Sequence, residues 1–185
     1  ETTDVALARG HGPSIDFYVP DGGNNSLIGG KLCVVKENAA EDSNESSITF
    51  QTAANDSAAT EKMRVTSTGD IGIGTIAPDY QLELSKDGAA HLALSSYSDD
   101  ESHAPTIILR HAEGTEASHA SAVDNACILG QIVFQGYDGD SFESGAAIKV
   151  LTNTGSADGD MRSDMSLWTT PNADIAIISY CHILS

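Results

Sequence analysis

The residues best suited to perform chemistry in this chain are carboxylates, which occur as four close pairs. A glycosidase needs two such groups, held roughly 5 to 9.5 Å apart, and one of them must have a raised pKa. Every pair here lies in polar or glycine-rich sequence, which is typical of solvated turns. The pairs are Asp99 and Asp100, Glu113 and Glu116, Asp138 and Asp140, and Asp158 and Asp160. We therefore predict that none of them is catalytic.

Potential metal ligands are present, but their spacing does not predict a metal site. No histidine lies two or four residues from another, so a zinc-binding pattern is missing. Residues 138–141 partly match a calcium loop, but the later ligands and the bidentate glutamate are lacking. A histidine on a three-fold axis stays an alternative, because three chains would then supply three ligands. The histidines are His11, His91, His103, His111, His119 and His182.

Motifs for nucleophilic catalysis and phosphate binding are also missing from the sequence. It contains no Gly-x-Ser-x-Gly nucleophile motif and no phosphate-binding Gly-Lys-Ser/Thr loop. We predict a protein that is not an enzyme, with no cofactor, no metal and no catalytic residue, and with a binding site that the sequence does not locate.

The three cysteines, Cys33, Cys127 and Cys181, are too few and too widely spaced for a disulfide framework or a zinc site. Cys33 and Cys127 adjoin apolar residues, where a free cysteine behaves as a small hydrophobic side chain. We expect buried, reduced thiols, which favours assembly in a reducing cytosol.

The charge of the chain restricts its partners. Its 27 acidic and 9 basic residues among 185 give a net charge of −18. Nucleic acids and anionic membranes attract basic surfaces, so we predict neither nucleic-acid binding nor membrane insertion. No apolar run approaches the roughly 18 residues of a membrane span. The chain begins at Glu1 without a signal-peptide pattern, so we expect a processed chain or a fragment.

Short alternating segments predict an all-β fold, with no helix of normal length between them. Aromatic residues make up only 5% of the chain, so partner chains would have to complete a thin core. Residues 56–62 are predicted to form one or two helical turns. The predicted strands of the first part are residues 14–19, 29–35, 47–52, 63–66 and 81–84.

The same order of strands returns in the second part of the chain. Residues 91–95 and 105–110 correspond to 5–8 and 13–18, and an extra strand is predicted at 145–151. Further matches pair 128–134 with 28–34, 164–169 with 47–52, and 173–180 with 61–68. We predict a first β repeat at 1–68, a glycine-rich linker and strand at 69–88, and a second β repeat at 89–185.

Residues 61–75, EKMRVTSTGDIGIGT, resemble a segment that is common in bacteriophage tail fibres and related virion fibres, of the type ERMRI followed by GNVGIGT. Residues 130–136, 146–148 and 167–171 are similar to the sequence that precedes this segment in those fibres. The resemblance covers about half the chain and is specific for a trimeric fibre. One departure is at residues 174–178, where Asp-Ile-Ala-Ile-Ile replaces the usual Glu-Arg-Met-Arg-Ile strand.

The resemblance implies an elongated, intertwined homotrimer, which is a structural component of a virion fibre shaft or tip. It also implies other fibre or tail proteins as partners, assembly in the bacterial cytoplasm, and support of host attachment through a surface glycan or protein. The long loops at 111–126 and 153–164 would make that contact. A polysaccharide-degrading tailspike enzyme and a bacterial surface filament or adhesin unit are the alternatives.

Two positions carry specific expectations for the trimer. Gly72 and Gly74 alternate with Ile71 and Ile73, and around a three-fold axis only small residues let three backbones approach closely. We expect the two glycines to lie at this close approach and the two isoleucines to pack between chains. The alternative is a glycine-rich hairpin within one chain. Trp168 should point away from the face of Met165 and Leu167, to pack on a neighbouring chain or to form an exposed platform for a sugar.

Overall fold

The described part of the chain consists of eleven β-strands and contains no helix. A computed structural model describes residues 10, 12–20, 26–40, 43–55, 57–121, 123–153 and 161–170. The predicted all-β fold class is confirmed. None of these described segments forms a helix that is long and apolar enough to cross a membrane.

The first of two units, Glu1–Ala93, contains one six-stranded sheet whose strands follow chain order. Strands β1 to β5 pair antiparallel with their neighbours, and β6 lies parallel to β5. The strands are β1 (Ser14–Pro20), β2 (Ser26–Lys36), β3 (Ser46–Thr52), β4 (Thr60–Val65), β5 (Ile71–Ile73) and β6 (Leu82–Leu84).

The second unit, Leu94–Ser185, contains a three-stranded sheet and a small hairpin. The hairpin is formed by β7 (Glu113–Thr115) and β8 (Ser118–Ser121). The sheet has the order β11-β10-β9, and all its pairs are antiparallel. Its strands are β9 (Ile128–Tyr137), β10 (Phe142–Thr152) and β11 (Ser163–Thr169).

A tight turn of Asp138, Gly139, Asp140 and Ser141 joins β9 to β10. The Asp138 amide donates to the Ser141 carbonyl over 3.1 Å, and Gly139 has a φ of 125° that favours glycine. The Asp138 carboxylate accepts the amides of Asp140 and Ser141. The acidic residues that partly matched a calcium loop therefore hold a hairpin turn, as Asx side chains commonly do.

Two sequence predictions of secondary structure are wrong. The helical turns predicted at 56–62 do not form in the described residues, since Thr60 already begins β4. Residues 91–95 and 105–110 resemble strands in composition, but they pair with no described strand. Alternation specifies a side-chain pattern, whereas a strand also needs a hydrogen-bonded neighbour.

Several predictions lie outside the described residues: the segments 5–8 and 173–180, the pair Asp158 and Asp160, Cys181, His11 and His182. The predicted division at 68 and 88 stays a prediction. Within the described residues, β5 and β6, which fall in the predicted linker, belong to the six-stranded sheet.

Candidate assembly surface

One face of the first sheet is formed by two rows of apolar side chains. Because successive residues of a strand point to opposite faces, the strand register defines both rows. The first row is Ile15, Leu32, Phe50, Met63, Ile73 and Leu84, one from each strand. The second row is Val34, Ile48, Val65, Ile71 and Leu82, from β2 to β6. We call these eleven residues the apolar face.

Much of the apolar face is exposed in the single chain. Ile48 and Phe50, at the middle of the sheet, are 47% and 45% exposed, and Ile15 and Leu82 at its edges are 60% and 56% exposed. Among the described residues, the buried hydrophobic side chains are only Cys33, Val123 and Ala147. Soluble monomers rarely leave a contiguous apolar patch of this extent uncovered, so such a patch marks an interaction surface.

The opposite face of the same sheet is polar and more deeply buried. Ser47 and Thr49 are fully buried there, on the same strand as the exposed Ile48 and Phe50. The Thr49 hydroxyl accepts a hydrogen bond from the side-chain amide of Gln51 over 3.4 Å. No described buried side-chain nitrogen or oxygen lacks a partner. The chain thus satisfies its polar side chains internally and leaves apolar ones for another surface.

The second sheet repeats this arrangement on a smaller scale. Ile132, Ile148 and Leu167 form one row across β9, β10 and β11, and Val150 and Met165 lie beside them on the same face. Ile132, Met165 and Leu167 are 53%, 54% and 45% exposed. Each unit therefore presents its own uncovered apolar face.

Trp168 lies on the other face of this sheet, away from Met165 and Leu167, as the alternation predicts. The Lys149 ammonium lies 4.7 Å from the centre of its ring, and its indole N–H donates to the Ser166 hydroxyl over 2.7 Å. Both contacts are within the chain and fix the ring. Its packing on a neighbouring chain stays a prediction.

The close approach that Gly72 and Gly74 allow occurs within the chain. A Cβ added to Gly72 would lie 2.6 Å from the Thr75 carbonyl oxygen, and one added to Gly74 would overlap the Ser85 carbonyl. Gly74 also has a φ of 78°, which L-residues rarely adopt. Gly72 lies on the polar face, opposite to Ile71 and Ile73. These contacts give the glycines a role in the connection from β5 to β6.

Glu37 joins the end of β2 to the turn between β4 and β5. Its carboxylate accepts the Ser47 hydroxyl over 2.5 Å, the Ser67 amide over 2.9 Å and the Ser67 hydroxyl over 2.7 Å. Partial desolvation raises the pKa of this carboxyl, but the bonds from Ser47 and Ser67 and the nearby Arg64 outweigh it, and the pKa is lowered. A charged Glu37 therefore stabilises this edge of the first sheet.

The described members of the acidic pairs show no sign of a catalytic site. Hydrogen bonds from Ser102 lower the pKa of the Asp100 carboxyl, and those from Ser141 and Asp140 lower that of Asp138. Glu113 accepts the Asp124 amide over 3.0 Å. A general acid needs a raised pKa, so the two shifts have the wrong direction for that role.

The histidines and cysteines are likewise distributed over the described chain. No group of three or more potential ligands suited to a metal ion occurs in the described ranges. His103 contacts Ser98 and Asp100, and His111 lies 3.3 Å from the Cys127 sulfur. Cys33 is buried and Cys127 half-buried, and both are free thiols.

Two solved structures share this fold. The first is the carboxy-terminal domain of the bacteriophage T5 L-shaped tail fibre, with a TM-score of 0.72 and 12% identity, covering 95% of this chain and 77% of that one. The chain has the fold of a phage tail-fibre domain. The second is the same T5 tail-fibre domain with its intramolecular chaperone domain, at the same TM-score and identity, covering 95% of this chain and 53% of that one. No family model and no curated protein matches the sequence.

The sequence predicted that Ile71 and Ile73 pack between chains, but it did not identify the whole apolar face as the candidate site of this tail-fibre fold. It placed binding in loops and close contact at Gly72 and Gly74. The sequence does indicate an apolar face on β3, since Ile48 and Phe50 alternate with polar residues. Alternation alone could not show that the polar side of the sheet would be the buried one.

Proposed function

We propose that this protein is a structural, non-enzymatic component of a bacteriophage virion fibre, in which three copies associate through their apolar faces. The observation that carries the proposal is the six-stranded sheet with Ile48 and Phe50 exposed on one side and Ser47 and Thr49 buried on the other. Such a sheet gains stability when another apolar face covers it. The tail-fibre fold supports the virion as its setting.

Hydrophobic burial is large enough to drive this association. Fully burying a Val, Leu, Ile or Phe side chain contributes about 1.5–3 kcal/mol, so a half-exposed one retains about 1 kcal/mol. Seven of the eleven side chains of the apolar face are exposed, and their combined burial would offset a substantial part of the entropy lost on association. Three copies related by a three-fold axis would each contribute the same face.

The role we propose is mechanical: a fibre shaft or tip that supports contact with a glycan or protein on the host surface, alongside other fibre or tail proteins. Assembly would take place in the bacterial cytoplasm, which suits the free Cys33 and Cys127. The β7–β8 hairpin lies within the loop predicted to carry recognition and is a candidate contact region. The net charge of −18 argues against binding to nucleic acid or inserting into a membrane.

The decisive experiment is a mass measurement by light scattering at micromolar concentration. A mass three times that of the 19.3 kDa chain is expected, and a stable monomer would contradict the proposal. Incubation with purified surface polysaccharide tests the enzymatic alternative. Catalytic release of oligosaccharides would overturn the non-enzymatic role, and binding without release would support it.

A further inference from the structure

Residues 94–112 form a segment in which every side chain is exposed. We call it the unpaired segment. Its backbone makes one hydrogen bond to the backbone of the described chain, from the His103 amide to the Asp100 carbonyl over 3.0 Å. Leu94 and Tyr97 within it are 47% and 94% exposed. Within the described chain, most of its peptide groups therefore have no backbone partner.

The end of the unpaired segment has the composition of a buried strand. Residues 105–110 read Pro-Thr-Ile-Ile-Leu-Arg, and β-branched residues are enriched in strands. Ile107, Ile108 and Leu109 are 67%, 71% and 54% exposed. In an extended chain Ile107 and Leu109 point to one side and Ile108 to the other, so both faces are apolar. This pattern is typical of a strand covered on both sides.

Local contacts fix both ends of residues 104–110. At the start, the Ser98 hydroxyl lies 2.8 Å from the His103 imidazole, and the Asp100 carboxylate accepts the Ser102 hydroxyl over 2.7 Å. At the end, the His111 imidazole contacts the Ile128 carbonyl over 2.7 Å. The stretch between these contacts has no strand partner in the described chain.

The first unit contains a template for the missing partner. Residues 13–18, to which 105–110 correspond in sequence, lie largely in β1, and β1 pairs antiparallel with β2. The counterpart of β2 is β9, which is an edge strand of its sheet. The Leu109 side chain lies over the face of β9 at Gly130, where an added Cβ would lie 2.9 Å from the Leu109 Cβ, and no described strand pairs with the outer edge of β9. Long open edges such as β9 readily accept another strand.

We propose that residues 104–110 add as a strand to the open edge of β9 in a second copy of this chain. Addition of a strand would satisfy backbone groups of both copies, and the apolar residues at 107–109 would extend the apolar surface of the second sheet. This strand exchange rests on the proposed association of copies. It assigns residues 104–110 and the edge of β9 to the contact between them.

The test places a photo-reactive benzoylphenylalanine at Ile108 and assembles the variant from equal amounts of ¹⁵N-labelled and unlabelled chains. Native mass spectrometry first establishes that mixed oligomers form. After irradiation, we expect cross-linked peptide pairs that join position 108 to β9 and carry one labelled and one unlabelled chain. The control places the same probe at Tyr97, an exposed residue of the unpaired segment outside residues 104–110, and should give no such mixed pairs with β9.

Two outcomes separate this inference from the proposed function. In a mixed oligomer, cross-links from position 108 could join only peptides of the same isotope, or could join none from β9. Either result would contradict strand exchange without contradicting the proposed trimer. A protein that stays monomeric overturns both. Hydrogen exchange on the unsubstituted protein gives a second readout: amides 104–110 should exchange at least about a hundredfold more slowly in the oligomer than unstructured peptide does, and coil-like exchange contradicts the pairing.

Discussion

At the scale of single residues, the glycines and carboxylates of this chain act through backbone conformation and local hydrogen bonds rather than through reactive chemistry. Gly74 and Glu37 illustrate this, because each fixes the connection between two strands of the first sheet. The carboxylates Asp100 and Asp138 hold turns in the second unit in a similar way. Residues that could have been interpreted as catalytic therefore have structural partners.

Replacing Gly74 with alanine should destabilise the first sheet by about 2–4 kcal/mol, because a positive φ and a steric clash add together. The φ of 78° strains any Cβ, and the Ser85 carbonyl occupies the space. Gly69→Ala is the matched control, since Gly69 has a φ of 91° but open space around it, and should cost about 1 kcal/mol. Denaturant unfolding measures both, and equal losses would show that the Ser85 contact is unimportant.

Glu37→Gln should lower stability at neutral pH by about 1 kcal/mol and weaken its dependence on acid. The pKa of Glu37 in the folded protein lies below the ordinary value of a glutamate carboxyl. Ionisation therefore stabilises the fold above about pH 4.5, and this contribution is lost as the pH falls through the lowered pKa. Thermal melting between neutral pH and about pH 3 measures the effect. Glu101→Gln at an exposed turn is the control, and an equal change there would contradict the role of Glu37.

At the scale of elements, the alternating pattern predicted most strands, including β2, β3, β9, β10 and β11. It did not predict strands correctly where pairing, rather than apolar alternation, decides whether a strand forms. The β7–β8 hairpin has no apolar alternation, because Glu-Gly-Thr and Ser-His-Ala-Ser contain almost no apolar residues. Residues 105–110 have the pattern but lack a partner in the described chain. Sequence shows which side chains share a face, and only three-dimensional pairing shows which face is covered.

The two faces of β3 give a direct test of the apolar face. Phe50→Glu should dissociate the oligomer or weaken its association by at least about tenfold, since a charge in an apolar contact is strongly disfavoured. Gln51→Glu adds a full negative charge one residue away, on the polar face between Lys31 and Glu61, and should leave association nearly unchanged. Sedimentation velocity at several concentrations measures both variants.

The test compares how strongly Phe50→Glu and Gln51→Glu, at adjacent positions on opposite faces, weaken association. If Phe50→Glu stays fully trimeric with unchanged melting, the apolar face is not the contact between copies. If both variants dissociate equally, the cause is added charge rather than the face to which it was added. Circular dichroism establishes that each variant keeps its β-structure, so that loss of folding is not mistaken for loss of association.

At the scale of the whole molecule, the exposed apolar surface favours association of copies, whereas the acidic charge disfavours it. Each chain exposes apolar surface that association would cover, yet each also carries a net charge of −18. The copies must therefore approach against electrostatic repulsion, which falls with ionic strength. Hydrophobic contact is short-ranged and persists in salt, so the two contributions can be separated experimentally.

We expect the oligomer to be more stable at physiological ionic strength than at low ionic strength. The screening length falls from about 30 Å at 0.01 M salt to about 8 Å at 0.15 M, which removes most repulsion between exposed charges on different copies. The concentration of half-dissociation, measured by light scattering in sodium chloride, should fall across this range. Sucrose at equal osmolality is the control, because it leaves charge unscreened. Dissociation on adding salt would contradict the model, since it would show that ion pairs rather than apolar faces hold the copies together.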